Sequence, residues 1–147
     1  MAENAQPPRG QRGLTDLRPE LDLTALSVAR YPAGWMPPAS APGYLALVVD
    51  HDEVTVVAPD EVFDDLDAPE AIEAGWRRIT FAGPLPWEMV GFLADVATRL
   101  AGARIPFTSM SGFSTDHVLV RAAQAGVALA VLRGEKPPDL RPDVTNP

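Results

Sequence analysis

Asp116 and His117 are neighbouring residues of the types that move protons, so a general acid–base pair is the first chemistry to test against their spacing. Adjacent residues of a strand point to opposite faces, so these two do not converge on one substrate atom. Asp50, His51 and Asp52 are metal-ligand types. Three consecutive residues at a hairpin tip cannot easily meet at one ion, and no distant ligand set accompanies them, so a solvated turn is expected. The run Ser109 to Ser114 is rich in hydroxyls but comes with no identifiable base. The chain has no Gly-x-Ser-x-Gly elbow, no phosphate loop, no GxGxxG and no HExxH. The expectation is no catalytic residue, no metal and no cofactor.

Recognition is the chemistry that remains. An α-amino acid needs donors for its carboxylate and acceptors for its ammonium. The loop from Gly83 to Trp87 runs into a predicted helix, whose unpaired N–H groups and positive dipole end suit a carboxylate. Pro84 and Pro86 remove donors from that loop, and the competing reading is a stiffened connection between a strand and a helix. Asp116 can accept a hydrogen bond from an ammonium or a cationic side chain. It can equally face water, or cap its own turn through Thr115. Gly112 permits close backbone approach, and Phe113 is then a lid or a floor, or plain core. Trp35, Trp76 and Trp87 each fall at an element boundary, where a packing role is expected.

These residues need elements to hold them. At 147 residues with 46% hydrophobic composition, the chain can bury a real core. Cysteine is absent, which excludes disulfides and thiolate zinc sites and suits a cytoplasmic protein. The N-terminus has no apolar stretch of signal type, and no run is long enough to span a bilayer. The formal net charge of −8 argues against nucleic acid and anionic membrane surfaces as partners. No Lys or Arg lies between Arg30 and Arg77, while acids cluster from Asp60 to Glu73, a pattern of a solvated surface.

Residues 1–20 read as a loose arm and 134–147 as a loose tail, both rich in proline. Leu23 to Arg30 reads as a strand with Leu23, Ala25 and Val28 inward. A Pro/Gly-rich connector covers 31–43. Tyr44 to Val49 reads as a buried strand, paired across a hairpin with Glu53 to Ala58, whose Val54 and Val56 share a face. Pro59 to Leu66 suits a short helix, and Gly75 breaks the chain before a strand from Trp76 to Ala82. Met89, Leu93, Val96 and Leu100 mark one face of a helix that opens at Trp87 and ends at Gly102. Strands over 104–111 and 114–120 and an Ala-rich helix over 121–132 complete the order. From Trp76 onward this is β-loop-α-β-β-α, an α+β pattern of ferredoxin-like class: a mixed or antiparallel sheet with helices on one face. The first half repeats it with the connector in place of the long helix, a hint of internal duplication.

The segments Trp76-Arg-Arg-Ile-Thr-Phe-Ala-Gly-Pro-Leu, Gly91-Phe-Leu-Ala and Ile105-Pro-Phe-Thr-Ser-Met-Ser-Gly-Phe-Ser-Thr-Asp-His-Val-Leu-Val resemble small bacterial tandem ACT-domain proteins, related to the CASTOR-type arginine sensors. The resemblance implies two ACT-like halves, a degenerate one over 21–72 and a second over 73–133. It implies an amino-acid sensor or regulatory module, likewise a homodimer, with the ligand between Gly83, Leu85 and Trp87 on one side and Ser111, Gly112, Phe113, Ser114, Thr115 and Asp116 on the other. Three departures sit in that pocket. Gly112 replaces the family's usual Thr, Ser114 stands where an acid is frequent, and His117 stands where a ring is usual, so the ligand itself does not carry over. An enzyme acting on an amino-acid-like substrate, or a pure oligomerisation module, are the competing functions.

Overall fold

The computed structural model describes residues 14–39, Gly43 and 46–137. Six strands, β1 (Glu20–Pro32), β2 (Ala46–Val49), β3 (Glu53–Pro59), β4 (Ala71–Thr80), β5 (Phe107–Ser111) and β6 (Asp116–Arg121), form one sheet in the order β2-β3-β1-β4-β6-β5. Every pairing is antiparallel. Two helices, α1 (Phe92–Gly102) and α2 (Ala125–Arg133), pack on one face. This is the α+β arrangement that the change of period from two to 3.6 predicted. The order on either side of the central β1–β4 pair is mirrored: each half runs first strand, third strand, second strand from the centre outwards.

The largest core cluster lies under the helices. Ile79 of β4, Val118 and Val120 of β6, Val96 and Leu100 of α1 and Leu132 of α2 are all buried within it. The alternation of β4 and β6 sends one residue in two to this face, and the i, i+4 pair Val96 and Leu100 answers from the helix. Leu17, from a 3-10 turn at Leu14–Leu17, joins the same cluster at 1% exposure. Its carbonyl accepts the N–H of Ala82 at 2.6 Å, and the Pro19 carbonyl accepts Arg133 Nε at 3.0 Å. Residues 14–19 are thus a seated part of the fold and not the end of a loose arm. The rest of the expected arm, and the tail from 138, lie outside the described residues.

The other half is covered more thinly. Among the described residues, the 3-10 turn Asp60–Asp65, Leu66 just after it and Trp35 lie over Ala29, Tyr31, Val54, Val56 and Ala58. Trp35 stacks on Tyr31 with centroids 3.8 Å apart, and both side chains donate to Asp67. No helix among the described residues covers the outer strand. So Leu47, Val48 and Val49 are exposed on β2, at the edge of the sheet, where the sequence suggested a buried strand.

Three further expectations need correction. β1 buries Leu26, Ser27, Ala29 and Tyr31, while Leu23 is 76% exposed, because register shifts against β4 displace the alternation. Gly75 does not break the chain; it sits inside β4 at φ +85°, next to that irregular pairing, where a side chain would be strained. Helix α1 begins at Phe92, not Trp87, because Gly91 at φ +87° occupies its N-cap; it runs through Gly102 to a cap at Ala103. Gly134 in the left-handed region closes α2, as its position after the periodic run predicted. Among the described residues no helix is long and apolar enough to cross a membrane.

Candidate ligand site

The segment after β4 and the turn between β5 and β6 meet above the sheet edge. Two hydrogen bonds hold them together. The Leu85 N–H donates to the Ser114 carbonyl at 2.7 Å, and the Thr115 hydroxyl donates to the Phe81 carbonyl at 3.1 Å. The Gly112 N–H donates to the Thr115 carbonyl at 2.9 Å, closing the turn. A Cβ added at Gly83 would lie 3.1 Å from the Ser114 oxygen, so glycine is what lets the loop sit this close to the turn.

A cavity of about 200 Å³ opens between these segments. Leu85, Pro86, Trp87 and Met89 wall one side, Phe92 from the first turn of α1 lies behind, and Phe113 stands opposite. Ser111, Gly112, Ser114, Thr115 and Asp116 complete the lining. Trp87 and Phe113 meet edge to face at 5.5 Å, both largely exposed to solvent, and so stand at the mouth. Asp116 pairs with Ser111 across the hairpin and carries no hydrogen bond or ion pair to any described residue. A volume below the roughly 300–1,000 Å³ of drug-sized ligand sites suits a small molecule.

The structure therefore brings eight of the nine residues singled out in the sequence to one cavity; Gly83 lies just behind the wall. Sequence reasoning missed Met89 and Phe92 and did not weigh Pro86 as lining. Met89 fell into register with Val96 and Leu100 and so read as helix core. The signal that could have corrected this is Gly91, which stops α1 short and leaves Met89 on the loop, where its N–H donates to Pro86. The expectation for the loop's backbone donors also changes. The Leu85 N–H is committed to Ser114, and Pro84 and Pro86 have none, so Leu85 is not available to a carboxylate.

His117 points to the opposite face, as strand alternation required. Its Nδ1 lies 3.5 Å from Thr80 Oγ1. On that face Arg78 pairs with Asp22 at 2.6 Å, and Arg121 lies 4.0 Å over the Trp76 ring while pairing with Glu73. Burial, and then the Arg78 guanidinium, hold His117 below the usual histidine range against the opposing pull of Asp116. The folded state therefore binds this proton less readily than the unfolded chain. Its contribution is full above the unfolded value and falls as pH drops below it. Thermal melts are expected to show stability declining as the pH falls below about 6.5, and His117→Gln is expected to flatten that decline. An unchanged slope in the variant would assign it to other groups.

The other marked residues lie elsewhere. Asp50, His51 and Asp52 form an exposed hairpin tip in which His51 Nδ1 sits 2.9 Å from Asp52. The three tryptophans occupy three separate places: on Tyr31, under Arg121, and at the cavity mouth.

Residues 71–134 match the ACT domain family. The chain carries an ACT domain. It spans β4 to the end of α2 and contains every residue of the cavity. The fold of the wider chain is that of solved structures at low identity. A Vibrio cholerae protein of unknown function, described as a possible transport protein, shares it at TM-score 0.64 and 24% identity, over 81% of this chain and 89% of that one. An Agrobacterium tumefaciens protein does so at TM-score 0.62 and 24% identity, over 76% and 82%. The regulatory subunit of aspartate kinase from Thermus thermophilus does so at TM-score 0.57 and 12% identity, over 79% and 95%. No curated protein sequence matches the chain.

Proposed function

We propose that this protein is a cytoplasmic regulatory module that binds an amino acid or a close analogue between the 83–92 segment and the 111–116 turn. The observation that carries the reading is Asp116: a carboxylate without a protein partner among the described residues, opening into an apolar-walled cavity of an ACT domain. A carboxylate so placed gains from a ligand cation what it lacks from the protein. The regulatory subunits among the solved structures support a sensing role over catalysis. The mirrored strand order supports two ACT-like halves, 21–72 and 73–133, packed as a pseudo-dimer in which the first half lost its long helix to the Pro-rich connector. The exposed apolar edge strand β2 supports self-association into a homodimer.

A thermal-shift screen against the proteinogenic amino acids, arginine among them, tests the binding reading. A ligand at 100 times its Kd that binds only the native state adds about 2.7 kcal/mol. No shift with any of them, together with a dimer in light scattering, would favour a pure oligomerisation module. Turnover of a hit would instead favour the enzyme reading.

A further inference from the structure

We infer that the cavity selects amines, so that its ligand is an amino-acid-derived or related cation whose carboxylate is absent or masked. This deepens the proposed function and rests on the same cavity. Three observations carry it. The first is charge. Asp116 is the one charged residue of the lining, and no lysine, arginine or histidine joins it among the described residues. The molecule as a whole carries −8, so its field draws cations in and opposes anions.

The second observation is the fate of the donors that a carboxylate would use. The Leu85 N–H goes to the Ser114 carbonyl and the Met89 N–H to the Pro86 carbonyl. The Gly112 N–H and the Thr115 hydroxyl close the turn and tie it to β4. Pro84 and Pro86 contribute no N–H at all. A zwitterion would have to bring its carboxylate beside Asp116, between apolar walls, with only neutral donors such as the Ser111 and Ser114 hydroxyls left to it and no cation in the lining to offset the repulsion. Burying an anion without a cation or a set of donors is strongly unfavourable.

The third observation is the mouth. Trp87 and Phe113 touch edge to face at the mouth and are both largely exposed, so the ring faces that they do not turn to each other remain open to a ligand cation. A cation near the face of an aromatic ring is attracted by its quadrupole, and Trp is the strongest partner. An ammonium on Asp116 would have these rings beside it, while the apolar body of the ligand rests on Leu85, Met89 and Phe92.

The test uses the full-length chain and three matched series followed by calorimetry. They are phenethylamine, phenylalanine and 3-phenylpropionate; isoamylamine, leucine and 4-methylpentanoate; and agmatine with arginine. The expected result is that, in the series that fits, the amine binds about tenfold or more tighter than its parent amino acid, a difference of about 1.4 kcal/mol. The acids should give no heat. Asp116→Asn should abolish the preference. An amino acid that binds as tightly as its amine, or tighter, overturns this inference and leaves the amino-acid reading standing. If all eight compounds fail to bind at millimolar concentration, the amine inference falls, while the amino-acid reading stands or falls with the screen of the full proteinogenic set.

Discussion

Leu17→Ala is expected to destabilise the protein by about 2–5 kcal/mol, the range for truncating a large buried side chain. That is a large share of the roughly 5–15 kcal/mol that holds a typical domain together. Leu17 is 1% exposed and lies in the same cluster as Val96, Leu100 and Leu132, so no solvent route fills the space left behind. The backbone around it adds to the effect, since the Leu17 carbonyl holds Ala82 at the end of β4 and the Pro19 carbonyl holds Arg133 at the end of α2. Loosening this turn would release the end of β4 and the end of α2 from a segment that precedes the ACT domain in sequence. Urea denaturation is the direct measurement. Leu23→Ala, at a position 76% exposed, is the matched control and should change stability by no more than about 0.5 kcal/mol. Equal effects of the two substitutions would show that the Leu14–Leu17 turn does not pack as described.

Asp116→Asn is expected to weaken the tightest-binding compound of the combined amino-acid and amine panels by about ten- to a hundredfold. This corresponds to the roughly 1.5–3 kcal/mol of a hydrogen bond to a charged group. The substitution keeps the shape of the side chain and removes its charge. Asp116 has no protein partner among the described residues, so the melting temperature without ligand should stay close to that of the wild type. That separation of effects is the informative part. A loss of binding with an unchanged melt places the carboxylate on the ligand. An unchanged affinity in a well-folded variant moves the ligand away from the cavity. A large loss of stability would instead show that Asp116 supports the β5–β6 turn.

Much of the site could be read from residue types because its parts are local. The loop after β4 declares itself through Gly83, Pro84 and Pro86, and the turn through Gly112 and its hydroxyl neighbours; both are short-range signals that need no knowledge of the fold. Strand alternation alone placed Asp116 and His117 on opposite faces, and the structure keeps them there. The hairpin of β2 and β3, the inward pair Val54 and Val56, and the Gly134 stop were legible for the same reason: each depends on a period or a backbone preference within a few residues.

What the sequence by itself determined, then, is the list of elements and the two segments that line the candidate cavity. Tertiary structure decided whatever depends on who lies over whom. Nothing local distinguishes a buried apolar strand from an exposed edge, so Leu47, Val48 and Val49 could be judged only once the sheet order put β2 outermost, with no helix above it among the described residues. Nothing in a polar, proline-rich N-terminus marks Leu17 as core, because its partners come from helices about eighty and more than a hundred residues later. The spare donors of the ligand loop were likewise a tertiary matter. Leu85 looked free for a carboxylate until the turn from the other end of the domain arrived with the Ser114 carbonyl and took its N–H. A hydrogen bond is satisfied by whichever partner the fold delivers, and only the assembled sheet says which partner that is.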